Sequence, residues 1–264
     1  MNKKAPEICY SDEGNGQVIV FLHGFLESNE IWNEYAEKLS ENYRVISIDL
    51  PGHGNSSLID KVHSMELMAT EVRNILEISG INKCILVGHS MGGYVSVEFA
   101  AKYPQFLKGL ILLNSHAGAD TDEEKTNRNR VIEIVKQNHI EFITSFYLGL
   151  FAPGNAELYP DEIEKLKETG KKMSADAVVA ALAGMRDRHD HVKTLEEIKI
   201  PAMLISGEKD PRINPVRVVG QLKNAPQIRH EIIKNSGHLG FIESRDEVFV
   251  LIGNFAQQVY KKKK

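Results

Sequence analysis

With only two cysteines in 264 residues, Cys9 and Cys84, there is no disulfide framework, and small cross-linked secreted scaffolds are excluded. Cys84 falls inside the apolar run 84–87, where a thiol reads as a small buried hydrophobe. No apolar stretch reaches the roughly 20 residues that a membrane span needs. The opening MNKKAPE has lysines with no apolar segment behind them, so no secretory leader is expected. A basic excess is missing as well. The formal net charge is −4, whereas a nucleic-acid surface usually shows as a basic patch or stripe. The one basic cluster is the lysine run 261–264, read as a solvated end. These absences predict a cytoplasmic protein without nucleic-acid or membrane partners.

Hydrophobic residues make up 42% and charged residues 26%, the balance of a globular chain with a sizeable core. Short, nearly continuous Val/Ile/Leu runs recur at 18–22, 44–48, 84–88, 109–114, 202–206 and 229–233. Such runs are expected of strands in a mostly parallel sheet covered on both faces. Helical patterns lie between them at 30–39, 64–78, 91–102 and 215–222, and a last one at 246–260. Alternation of this kind predicts βαβ units. It stops between 119 and 197, where only polar helical patterns occur, at 123–137, 140–150, 160–172 and 175–186. The expected organisation is an α/β core of residues 1–118 and 198–264 with a helical cap inserted at 119–197.

Residues 88–93 read GHSMGG. Ser90 follows a strand run and precedes a helix pattern, the strand–turn–helix context that gives G-x-S-x-G its meaning. Gly88 and Gly92 remove side chains that would collide at so sharp a turn. Ser90 itself is then expected in a strained conformation with its hydroxyl exposed, at a helix N-terminus that favours developing negative charge.

A serine hydroxyl needs a base to become a nucleophile. Among ten histidines, His238 sits in a glycine-flanked loop after the last strand run, on the carboxyl edge that also carries Ser90. His89, next to the serine, is expected to point away and serve packing or hydrogen bonding. The imidazole in turn needs a carboxylate to orient it. Asp210 follows the 202–206 run, with Glu208 as a local competitor and helix capping as its alternative role. Asp210 is preferred because it leads into a proline-fixed turn and comes next before the histidine loop. The order Ser90, Asp210, His238 is the nucleophile–acid–base order of this architecture. For an oxyanion, two backbone donors are needed, and the N–H groups of Phe25 and Met91 are the candidates.

Together, Leu22-His23-Gly24-Phe25, Asp49-Leu50-Pro51-Gly52-His53-Gly54, Gly88-His89-Ser90-Met91-Gly92-Gly93, Gly207-Glu208-Lys209-Asp210 and Gly237-His238 resemble the α/β-hydrolase superfamily. Within it they are most similar to capped carboxylesterases, C–C hydrolases and cofactor-free perhydrolases. The resemblance implies an α/β-hydrolase fold, a triad of Ser90, Asp210 and His238, and oxyanion donors at Phe25 and Met91. Dehalogenase and epoxide-hydrolase branches would have aspartate at position 90, and many lipases a His-Gly-Gly-Gly first motif, so these branches fit less well. In some branches the acid follows the preceding strand, but that end reads Asn114-Ser115-His116.

Other motifs have plainer readings. Asp49–His53 sits in a Pro/Gly-punctuated loop and is taken as loop-shaping. Arg186 to His191, reading RDRHDH, has no standard zinc spacing and lacks a third ligand set, so it is read as an ion-paired surface turn with no metal. Arg186 could instead face the pocket and bind a substrate carboxylate, as capped C–C hydrolases are similar in placing an arginine in the cap. No Lys-Ser or Lys-Thr pair follows the glycines at 88–93, which argues against phosphate cradling.

The expected activity is hydrolysis of a small or medium carboxylic ester or thioester through an acyl-enzyme on Ser90. No metal or organic cofactor is needed, the partner is a small acyl substrate, and the state is monomer or homodimer. C–C hydrolysis of a vinylogous keto acid or perhydrolysis would use the same triad, and a receptor that keeps the triad for binding is the alternative of another class.

Overall fold

A computed structural model describes residues 7–261. The segment 1–6 and residues 262–264 lie outside them, and so do the readings of a missing leader and of most of the lysine tail. The strands are β1 (Tyr10–Gly14), β2 (Val18–Leu22), β3 (Arg44–Ile48), β4 (Cys84–His89), β5 (Leu107–Leu113), β6 (Ala202–Gly207) and β7 (Arg229–Ile233). They form one sheet in the order β1-β3-β2-β4-β5-β6-β7. All neighbours pair in parallel except β1 with β3. Every residue of β2, β4 and β6 is buried, which requires cover on both faces and explains their unbroken apolar runs.

The helices between β1 and β5 are α1 (Asn33–Leu39), α2 (Met65–Ile78) and α3 (Met91–Lys102). Between β5 and β6 come α4 (Asp122–Phe146), α5 (Pro160–Lys171), α6 (Ala175–Arg186) and α7 (Val192–Glu197). The chain ends with α8 (Pro215–Gln221), α9 (Gly240–Glu243) and α10 (Arg245–Lys261). The two helix patterns expected at 123–137 and 140–150 are two helical segments of α4 that meet at a kink, Asn138, whose φ of −155° is non-helical, and a 3-10 turn at Tyr147–Leu150 follows. Its start is fixed by a reciprocal cap in which Thr121 and Glu124 satisfy each other's backbone N–H groups. No helix among the described residues is long and apolar enough to cross a membrane.

β1 has no counterpart in the sequence reading. Its residues YSDEG are polar and largely exposed, and it is held as an antiparallel edge by pairing with β3 and by the Arg44–Asp12 ion pair at 2.7 Å. No apolar pattern marks such a strand.

The β5–β6 excursion is joined to the core at defined points. The Tyr147 hydroxyl donates to the Leu26 carbonyl at 2.6 Å, and Tyr147 is fully buried. Leu26 has a φ of 64°, a left-handed conformation that a leucine holds only when its surroundings impose it. Replacing Tyr147 by Phe leaves that carbonyl buried and unpaired, with an expected loss of about 1–3 kcal/mol, read as a lowered urea midpoint at unchanged m value.

Candidate active site

β4 turns into α3 at Ser90, whose φ and ψ of 49° and −112° store strain of about 1–3 kcal/mol. Two close approaches make glycine necessary on either side. A Cβ on Gly88 would lie 2.3 Å from the Gly92 carbonyl oxygen, and one on Gly92 would lie 2.5 Å from that of Leu22. The turn is locked by the Ser90 N–H donating to the Leu113 carbonyl at 3.0 Å and the Ser115 hydroxyl donating to the Ser90 carbonyl at 2.8 Å.

The three residues expected to act together are together. The Ser90 Oγ lies 2.8 Å from His238 Nε2, and His238 Nδ1 lies 2.9 Å from Asp210 Oδ2. A carboxylate only accepts, so Nδ1 carries the proton and Nε2 accepts the serine proton. Asp210 also accepts from the backbone N–H groups of Arg212 (2.8 Å) and Ile213 (2.9 Å), and from Asn114 Nδ2 (2.9 Å). Burial pushes its carboxyl upward, but His238 and these donors outweigh that and hold its pKa below the usual value. Glu208, the competing acid, instead accepts the Asn235 N–H. Phe25 lines the same cavity as Ser90, and Met91 follows the serine as the first residue of α3.

Two supporting residues escaped the sequence reading. Asn114 bridges Asp210 and the Gly237 carbonyl, donating to both at 2.9 Å. It stands at the strand end where some branches carry the acid, which is the one signal that could have found it. Glu27 is buried and accepts the Gly24 N–H at 2.6 Å. The same oxygen takes a bond from His89 Nδ1 at 3.0 Å. His89 points away from the serine, as expected, and its Nε2 donates to the His238 carbonyl at 3.0 Å. Burial acts against its charge, but Glu27 and the His238 carbonyl outweigh it and raise the His89 pKa. Burial likewise pushes Glu27 upward, and His89 and the Gly24 N–H bring it below the usual carboxylate value.

Asp49 and His53 shape their loop. Asp49 accepts from the backbone N–H groups of Asn29 and Asn55, and His53 is buried against the Pro51 carbonyl.

Ser90 and His238 open on a cavity of about 350 Å³ walled by Phe25, Phe142, Phe146, Leu182 and Met185. A larger groove of about 800 Å³ runs between α1 and α5. It is rich in carboxylates and does not reach Ser90, so the smaller cavity is the one with chemistry. Arg186 does not line it. Its guanidinium is tied to Asp187 and to Asn129, which corrects the expectation that it faces the pocket. Arg188, in the turn after α6, points inward instead, buried on Asp120, the Gly118 carbonyl and the Tyr94 ring.

The RDRHDH turn is ion-paired, and the fold supplies the partner that its spacing lacked. Glu98 of α3 lies 2.8 Å from His191 and 3.5 Å from His189. Ligand atoms of the three lie within 4.8 Å of one another, so they are the described residues that could hold a metal. None of the three lines the Ser90 cavity.

A family model described as alpha/beta hydrolase fold matches residues 17–244. The chain belongs to this family. The α/β-hydrolase is 28% identical over 251 residues to Lipase 1 of Psychrobacter immobilis, covering 91% of this chain and 78% of that one. It superposes on a thermophilic esterase from Thermogutta terrifontis, solved with malate bound, with a TM-score of 0.91, 32% identity and 96% and 94% coverage. The enol-lactonase of Burkholderia xenovorans, at 20% identity and TM-score 0.88 over 96% and 97% of the chains, shares the fold.

The buried Glu27–His89 pair sets a pH dependence. Glu27 has a folded pKa below its unfolded value, so its contribution to stability is present above about pH 4.3 and is lost as pH falls through the folded pKa. Unfolding free energy measured by urea titration is expected to fall from pH 6 to pH 3. Glu27→Gln should flatten that slope, and an unchanged slope would show that Glu27 does not titrate in this way.

Proposed function

We propose that this α/β-hydrolase is a serine hydrolase acting on small or medium carboxylic esters or thioesters. The observation that carries the reading is the unbroken hydrogen-bonded chain Ser90–His238–Asp210 on the floor of the cavity. Ser90 Oγ attacks the acyl carbonyl while His238 Nε2 takes its proton, and Asp210 holds the imidazole and stabilises its charged form. The Phe25 and Met91 N–H groups receive the oxyanion. His238 then returns the proton to the leaving oxygen or sulfur, and activates a water to release the acid. Residues 119–197 serve as the cap that shapes the acyl pocket. The likeness to an esterase over nearly the whole chain supports the bond type.

A chain-length series of 4-nitrophenyl esters tests the proposal. Wild type should turn over short and medium members repeatedly, and Ser90→Ala should lose about 10⁴-fold or more in kcat. Asp210→Asn should fall on the same order, about 10⁴-fold, through the wrong imidazole tautomer. Undiminished turnover by Ser90→Ala would overturn the mechanism. A wild type that stops after one acylation per molecule would instead indicate a receptor.

A further inference from the structure

The cavity that holds Ser90 is cationic in a chain whose net charge is −4. Arg128, Arg130, Arg188 and Arg212 line it, against the two acids Asp120 and Glu124. Most of this charge is committed. Arg188 and Arg128 share the buried Asp120, and Glu124 is taken by Arg217 from outside the lining. The exposed Arg130 bonds to Asn127.

Arg212 is different. It is exposed at the rim of the cavity, and among the described residues its guanidinium makes no ion pair. Its position is nonetheless fixed. The backbone N–H is held by Asp210 Oδ1 at 2.8 Å, and the guanidinium lies over the Phe146 ring, 5.3 Å from its centroid. The nearest acid in the sequence, Asp210, spends its oxygens on backbone N–H groups, Asn114 and His238, and Arg212 lines the cavity. Partial shielding by its neighbours and then the Arg128 charge lower its pKa, with the Asp210 charge acting in the opposite direction. Arg128 is already paired with Asp120, so Arg212 is the guanidinium of the two that an anion would complete. Besides the triad's His238, the one other histidine of the wall is His116. Burial, together with Arg188 and Arg217, pushes its pKa to about 3, so it stays neutral and adds no cation. Anion recognition therefore falls to the arginines.

We propose that Arg212 is the anchor of a carboxylate subsite, so that the substrates are esters or thioesters bearing a carboxylate; this rests on Ser90 being the nucleophile. The fork takes the carboxylate in bidentate fashion with Phe146 beneath it, and Arg128 adds its field. The loop that supplies the triad acid thus also supplies the specificity residue two positions later. Arg212 thus takes the carboxylate-binding role that the sequence offers, as an alternative, to Arg186.

Two matched substrate pairs and one binding measurement test the subsite. Mono-4-nitrophenyl glutarate against 4-nitrophenyl pentanoate places the charge on the acyl side, and 4-acetoxybenzoate against 4-acetoxybenzamide places it on the alcohol side. Wild type should prefer the anionic member of at least one pair in kcat/KM. Arg212→Gln should cut that anionic-to-neutral ratio by roughly 10- to 100-fold, mostly through KM, while Arg212→Lys should restore part of it. A ratio in Arg212→Gln within twofold of wild type for both pairs would overturn the subsite. Calorimetry with glutarate on the Ser90→Ala protein reads the subsite without chemistry. Saturable binding that disappears in Ser90→Ala/Arg212→Gln supports it, and binding that persists in the double variant, or is absent from Ser90→Ala, refutes it. A wild type that hydrolyses none of the four esters overturns the hydrolase reading, and the calorimetry still decides the subsite.

Discussion

The Asp210 carboxylate is the point on which the functional end of the molecule converges. It is buried, and its two oxygens collect bonds from three separate strand ends: Asn114 after β5, the Arg212 and Ile213 N–H groups after β6, and His238 after β7. A buried charge is tolerable only when so paired. Meeting that need fixes the loops relative to one another. Once Asp210 is placed, the imidazole has one tautomer and one orientation, and the Arg212 fork is delivered to the cavity wall.

A buried ion pair, Glu27 with His89, repeats the arrangement one layer away from the serine. Glu27 ties the Gly24 N–H to His89, and His89 reaches the carbonyl of His238. The loop bearing Phe25 and the loop bearing His238 are thereby joined through a histidine of the GHSMGG turn. The helical excursion adds two further ties, from Tyr147 to the Leu26 carbonyl and from the Leu150 carbonyl to the His238 N–H. Movement of that excursion would therefore be felt at both loops, because buried hydrogen bonds transmit displacement rather than absorb it.

Composition gave no hint of the cavity's charge. The chain is acidic overall, and its arginines are scattered along α4, the turn after α6 and the loop after β6. Folding gathers four of them around one cavity.

How much was legible depended on the range of the interaction. The central strands declared themselves because burial on both faces demands continuous apolar runs. Gly88, Ser90 and Gly92 declared the turn because steric collision over a few residues leaves no other choice, and the order of Asp210 and His238 along alternating strands placed both on the serine's edge of the sheet. The polar edge strand β1 could not be read, since only its pairing with β3 makes it a strand. The partners Glu27, Asn114 and Glu98 were equally hidden, because an ordinary polar residue becomes significant only when a distant segment is brought against it. Arg186 and Arg212 show the same division most directly. Each is an unremarkable arginine in the sequence, and whether a guanidinium meets an acid or faces an empty cavity is decided by side-chain direction and long-range packing, which only the tertiary structure supplies.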